Sequence, residues 1–176
     1  MLRTIMIFPQ FNNMEIIDEI RDRFDPLAKL VRPHITLVFP FESDMTNDEV
    51  EDKLACSLKN TGPFELVLHG FSKTKDNCLF LDIEKGKDII EAIHDDLYSN
   101  HFSDYYAFQP YIPLGMPYVP HMTVGKLNSE QELNRAYEYV RNIDDRFQTT
   151  VKKVSVEMIG EHEESIIIIE RILLQE

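Results

Sequence analysis

Pro33-His34-Ile35-Thr36-Leu37 and, far along the chain, Pro120-His121-Met122-Thr123-Val124 share one pattern, Pro-His-x-Thr followed by an aliphatic residue. Both stretches read as strand, and a strand turns successive side chains to opposite faces. Ile35, Leu37 and Phe39 therefore point one way and His34 and Thr36 the other. In the second copy Met122 and Val124 oppose His121 and Thr123. Each strand keeps an apolar face for packing and presents an imidazole with a hydroxyl on the other. A single His-x-Thr is an ordinary strand fragment. The second copy carries weight because its surroundings repeat as well.

Outward from the first motif, the chain reads strand (about 3–8), helix (about 13–24), motif strand, helix (about 47–58) and hairpin (arms about 64–73 and 78–84). Ile16, Ile17, Ile20 and Phe24 share one side of the first helix, which stops before Asp25-Pro26 because proline does not continue a helix. Val50, Leu54 and Leu58 line the second helix, opened by a capping box of Thr46 and Glu49. The second half reads helix (Ile89, Ile90, Ile93, Leu97), motif strand, helix (Leu133, Ala136, Tyr137, Val140, with Ser129 and Glu132 as a second capping box) and hairpin (about 151–159 and 165–174). The step from His34 to Phe80 in one hairpin is 46 residues, as is the step from His121 to Ile167 in the other. The expected architecture is α+β. It is a single bilobal domain over 1–176, an internal pseudo-repeat of about 1–85 and 86–176. Each of its two pseudo-symmetric lobes is a mostly antiparallel sheet with helices packed outside, and a central cleft carries both motifs. The alternative is a single sheet in which the motifs do not meet.

His101 to Val119 has no counterpart. It interleaves Tyr105, Tyr106, Phe108, Tyr111 and Tyr118 with Pro110, Pro113 and Pro117, a composition that predicts a loop without helix. Lying just before His121, it is a candidate cleft wall on which an aromatic ring stacks a base. The competing reading is that these rings only pin the loop to the core.

The composition is that of a soluble globular protein, 43% hydrophobic and 28% charged. No apolar run approaches the roughly 20 residues that cross a bilayer, and the N-terminus enters a strand directly, so a cytoplasmic protein with no membrane partner is expected. Cys56 and Cys78 lack metal-ligand spacing and read as reduced structural residues. A net charge of −13 argues against an extended nucleic acid as partner, because backbone affinity comes from clustered Lys and Arg. A small anionic substrate needs only a few local donors. A monomer is expected.

Imidazole titrates near neutrality, so a pair can hold one neutral and one protonated ring at cell pH. Displacement at phosphorus needs a base for the incoming oxygen, an acid for the departing one and donors for the non-bridging oxygens. His34 and His121 fit the first two needs, and Thr36 and Thr123 the third. No metal or other cofactor is called for, since two His and two Thr without carboxylate or thiolate make a poor metal site. Arg32 shares the face of His34 and is placed to reach phosphate, with an ion pair to one of the many carboxylates as the competing role. His69 reads as a structural strand residue, His94 as solvent-facing, His101 as a cleft candidate and His162 as solvated.

The paired His-x-Thr motifs in a duplicated α+β layout resemble the 2H phosphoesterase superfamily, with its 2′–5′ RNA ligase-like (LigT-like) proteins and cyclic nucleotide phosphodiesterases. Arg23-Phe24-Asp25-Pro26, running on to Arg32-Pro33-His34-Ile35-Thr36-Leu37 and Phe41-Glu42, is similar to the small YjcG-like bacterial branch. The resemblance implies metal-independent chemistry on ribose phosphodiesters, either a 2′,3′-cyclic phosphate or a 2′-5′ linkage of a nucleotide or RNA end. It makes His34 and His121 the catalytic pair and has Thr36 and Thr123 bind phosphate. Val38-Phe39-Pro40 stands where a glycine usually closes the turn, and Gly125-Lys126 where a small residue and Arg are common. Lys126 brings charge without a bidentate fork. Arg32, Lys126 and Tyr118 are thus candidate substrate contacts. The rival function is a non-catalytic nucleotide- or phosphate-binding module on the same fold. A third reading, fortuitous motifs in an interaction protein, predicts two histidines far apart.

Overall fold

The computed structural model describes residues 1–106 and 117–174. In chain order these form β1 (Leu2–Ile7), α1 (Met14–Phe24), β2 (Ile35–Glu42), α2 (Asn47–Leu58), β3 (Phe64–Lys73), β4 (Cys78–Lys85) and α3 (Lys87–Leu97). A π-helical turn (Tyr98–Phe102) and α4 (Ser103–Tyr106) follow, then β5 (His121–Lys126), α5 (Glu130–Val140), β6 (Phe147–Val151), β7 (Lys153–Ile159) and β8 (Ser165–Ile172). Among the described residues the strands make two four-stranded sheets, β2-β1-β7-β8 and β5-β4-β3-β6, antiparallel throughout. The α+β architecture in two lobes is as expected, and the single-sheet alternative is excluded.

The sheets do not follow the two halves of the sequence. The hairpin β3-β4 of the first half builds the sheet that holds the second motif strand, β5. The hairpin β7-β8 of the second half completes the sheet that holds the first, β2. The helices cross over too, with α1 packed on β5 and α3 on β2. Strand β6 departs from expectation. Its sequence, Phe-Gln-Thr-Thr-Val, reads as the approach to the last hairpin, but it pairs with β3 before Lys152 carries the chain over to the other sheet.

Local chemistry accounts for the element ends. Glu49 N–H donates to Thr46 Oγ1 and Thr46 N–H to Glu49 Oε2, the full capping box expected at α2. At α5 only half of the expected box forms. Ser129 Oγ accepts from Glu132 N–H, but the Glu132 carboxylate reaches past it to Asn128 N–H at 3.0 Å. The aromatic segment begins as helix, contrary to expectation, because its first proline is Pro110 and proline constrains only itself and its immediate neighbours. Phe108, Pro110, Tyr111 and Pro113 lie outside the described residues.

Two features set the approach to the motifs. Arg21, 3% exposed, donates to Asp25 Oδ2 at 2.7 Å and to the Val31 carbonyl at 2.8 Å, while Asp25 Oδ1 accepts Leu27 N–H. This ion-paired and hydrogen-bonded charge folds residues 25–31 into the lead of β2, at a desolvation cost that its hydrogen bonds offset. A Cβ on Gly125 would sit 3.1 Å from Phe24 Cβ and 3.2 Å from Leu79 Cβ, so glycine lets α1 close on β5. Among the described residues no helix is long and apolar enough to cross a membrane.

Gly86 opens α3 at φ 91°, and a Cβ there would lie 2.7 Å from the Glu65 carbonyl oxygen. Gly86→Ala is expected to lower unfolding free energy by more than about 1 kcal/mol, and Thr46→Ala by about 1 kcal/mol. Urea unfolding checks both; an unchanged midpoint for Gly86→Ala contradicts the strained cap.

Candidate active site

Strand β2 is an edge of one sheet and β5 an edge of the other, and these two edges lie against each other. The fold thereby brings together the two motifs that the sequence keeps far apart. In both, Ile35, Leu37, Met122 and Val124 are buried to 0% exposure, and His34, Thr36, His121 and Thr123 stand half-buried on the opposite face.

The two imidazoles are held by the same device. His34 Nδ1 lies 2.8 Å from the Arg32 carbonyl oxygen, and His121 Nδ1 lies 2.7 Å from that of Val119. A carbonyl only accepts, so each Nδ1 carries the hydrogen and the neutral ring keeps its lone pair on Nε2. The proline before each histidine explains the geometry. It has no N–H of its own, and it holds the residue before it extended, which leaves that carbonyl free to receive the ring.

Their surroundings differ. The Phe80 ring stacks on His121 with centroids 3.5 Å apart and planes at 10°. Phe8 meets His34 edge-on at 6.1 Å. Burial lowers the His121 pKa to about 4 against the opposing pull of the Val119 carbonyl. The nearby charge of His34 lowers it further, and Asp76 raises it. For His34 burial again lowers the pKa, opposed by the Arg32 carbonyl, with Arg21 lowering and Asp25 raising it. The two rings thus sit within electrostatic reach of each other. Neither the Thr36 nor the Thr123 hydroxyl makes a hydrogen bond to a described residue, so both remain available to a ligand.

The other sequence candidates fall out differently. The Arg32 guanidinium lies over the Phe8 ring at 4.3 Å, beside His34, and makes no ion pair within 4.0 Å among the described residues. Lys126 donates to the Asp76 carbonyl at 2.6 Å and faces its carboxylate at 3.5 Å, so its charge is largely neutralised at the β3–β4 turn. The Tyr118 hydroxyl donates to the Thr36 carbonyl at 2.6 Å, and its ring stacks on His94 at 3.6 Å. Burial pushes the Tyr118 phenol pKa far up, keeping it protonated.

His94 is a correction. It is 2% exposed, not solvent-facing, and its Nδ1–H donates to the Leu37 carbonyl at 2.8 Å. Its spacing with Ile90, Ile93 and Leu97 puts it on the buried face of α3, a periodicity legible in the sequence. With the Tyr98 hydroxyl accepting Phe39 N–H, three side chains bond to the edge of β2. His69 bridges Glu84 and Asp144. Phe80, which serves in the sequence only to mark a spacing, is the residue missed. The repeat of 46 residues relates Phe80 to His34 rather than to His121, and only the pairing of β4 with β5 brings it to the second motif.

A cavity of about 650 Å³ between α3, the π-helical turn and Pro117–Tyr118 is lined by none of the four motif side chains. Among the described residues no three His, Cys, Asp or Glu side chains gather as a metal site.

Comparison with known proteins agrees with this fold. A protein of Geobacillus kaustophilus named "Putative phosphoesterase" is 30% identical over 155 residues, spanning 85% of this chain and 83% of that one. A Bacillus pumilus protein of the same name is 31% identical over 133 residues, 73% of this chain and 71% of its own. The crystal structure of Escherichia coli LigT complexed with 3′-AMP superposes with a TM-score of 0.63 at 13% identity over 98% of both chains. That of TT0787 from Thermus thermophilus gives 0.63 at 14% over the same shares. At such identity the two structures speak for the fold alone. The profile of the 2′-5′ RNA ligase superfamily matches residues 9–162, and the chain belongs to that superfamily.

Proposed function

We propose that this protein is a phosphoesterase that hydrolyses a 2′,3′-cyclic phosphate or a 2′-5′ phosphodiester of a nucleotide or RNA end by acid/base catalysis between His34 and His121. The observation that carries the reading is the matched pair of Nδ1–carbonyl bonds, which leaves two Nε2 atoms free on adjacent strand edges. Names of relatives and the nucleotide complex of LigT point the same way.

In this reading phosphorus lies between the rings. His121 Nε2 takes a proton from the attacking water, and the water oxygen bonds to phosphorus. The bond from phosphorus to one ribose oxygen breaks, and His34 Nε2–H delivers a proton to that oxygen. A phosphomonoester and a free hydroxyl result. Thr36 and Thr123 donate to the non-bridging oxygens, whose charge grows in the transition state, and Arg32 adds a positive charge on the His34 side. The assignment of His121 as base rests on its burial, which favours the neutral form. In the reverse direction the roles exchange.

Hydrolysis of 2′,3′-cyclic AMP in EDTA, followed by chromatography, is the direct test. His34→Ala and His121→Ala are each expected to lower kcat by about 10²–10⁴-fold while adenosine 3′-monophosphate still binds. Thr36→Val and Thr123→Val are expected to lose about 10²-fold. Wild-type turnover that survives either histidine change contradicts the mechanism, and absence of wild-type turnover on every cyclic phosphate and 2′-5′ linkage favours a binding module.

The pH dependence has a definite sign. The base must be neutral, so kcat/KM falls as pH drops through the His121 pKa of about 4. The acid must be protonated, so kcat/KM also falls as pH rises through the His34 pKa, which lies below the ordinary 6.5. The expected profile is a bell whose maximum lies on the acid side of pH 6.5. A maximum well on the alkaline side of neutrality contradicts the assignment.

A further inference from the structure

The register of β4 on β5 sets Asp82 directly opposite His121. Directly paired residues project from the same face with Cβ atoms roughly 5 Å apart. Phe80, two residues before Asp82, shares that face and covers the His121 ring. His121 is thus bordered by an apolar ring and a carboxyl group. Asp82 is half-buried, and its Oδ1 accepts the Ser72 hydroxyl at 2.7 Å. Its Oδ2 accepts no hydrogen bond from a described residue. Burial raises its pKa, while the Ser72 bond and the charge of Lys87 lower it. The mechanism above gives Asp82 no task.

The carboxyl row continues. Glu84 lies two residues on, on the same face, and Asp144 reaches the far side of His69, which bridges the two. Arg146 beside Glu84 is the counter-charge there. The wall beside His34 is the opposite case, where the guanidinium of Arg32 lies over Phe8 with no ion pair to a described residue. Arg32, whose charge also acts on the buried Glu157, thus borders His34, while a row of carboxyls with Arg146 and Lys87 as its counter-charges borders His121.

We infer that Asp82 is a specificity-determining residue that selects mononucleotide-sized substrates. The inference rests on the reading that phosphate binds between His34 and His121. A substrate group extending from that phosphate over the second sheet meets the free Oδ2 of Asp82. A hydroxyl or amino hydrogen satisfies that oxygen. A second phosphate is repelled by it and by Glu84 beyond. The favoured class is a small cyclic phosphate bearing free hydroxyls, and an RNA strand that crosses Asp82 is disfavoured.

Calorimetry on wild type, Asp82→Asn and Glu84→Gln tests this with two ligands, adenosine 3′-monophosphate and the adenylyl dinucleotide ending in the same 3′-monophosphate. Thermal melts verify that each variant is folded. Wild type is expected to bind the mononucleotide at least about tenfold more tightly, and Asp82→Asn to shrink that ratio about tenfold by gaining affinity for the dinucleotide. Glu84→Gln is expected to shift the ratio the same way by about threefold, and it carries the test if Asp82→Asn does not fold. A ratio unchanged in the folded variants overturns the inference and leaves the phosphate site standing. Failure of both ligands to bind wild type overturns the phosphate site itself, and the inference with it.

Discussion

Two edge strands held side by side are the constraint on which the site depends. Neither half of the chain can build the site alone. β2 pairs with β1, whose other neighbour is β7 from the far end of the sequence, and β5 pairs with β4 from the first half. Exchanged hairpins and crossed helices make the position of one motif depend on the packing of the half that carries the other. That couples two small lobes into one core, which buries more apolar surface than either would alone.

An edge strand exposes unpaired backbone groups, and this fold covers them with helices rather than with further strands. On β2 the cover is polar and specific. His94, Tyr98 and Tyr118 bond to backbone groups of Leu37, Phe39 and Thr36, so the carbonyls and N–H that a neighbouring strand would take are taken by side chains. On β5 the cover is apolar, with Phe24 of α1 pressed against Gly125. Both arrangements leave the opposite face of each strand, with its imidazole and hydroxyl, turned to the groove. The pseudo-symmetry of the two rings is then broken by their neighbours. Phe80 lies flat on His121, whereas Phe8 meets His34 only by its edge and carries Arg32 on its face.

Much of this is legible in the residues. Alternation in the motif strands identifies the buried and groove faces, and the Thr46–Glu49 box and the breaks before Pro26 and after Lys73 mark element ends to within a residue or two. The duplicated His-x-Thr names the four side chains that share a groove. What stays hidden depends on non-local pairing. Nothing in the residues says that β3-β4 joins β5 rather than β2, so Phe80 and Asp82 could not be placed beside His121. β6 escapes notice because Phe147–Val151 is five residues long and polar at its centre. His94 is misplaced when its position is read alone rather than with the repeat of Ile90, Ile93 and Leu97 around it. The role of Tyr118 turns on a hydroxyl reaching a carbonyl 82 residues away, which no local pattern carries.

Nitrogen-15 NMR of the histidine rings during titration with inorganic phosphate tests the central claim most directly. The account requires His34 and His121 to be Nδ1–H tautomers in the free protein, with both Nε2 resonances shifting along one saturation curve at one phosphate per chain. Rings in the other tautomer, or two Nε2 signals that respond at separate phosphate concentrations, would contradict a single phosphate held between them.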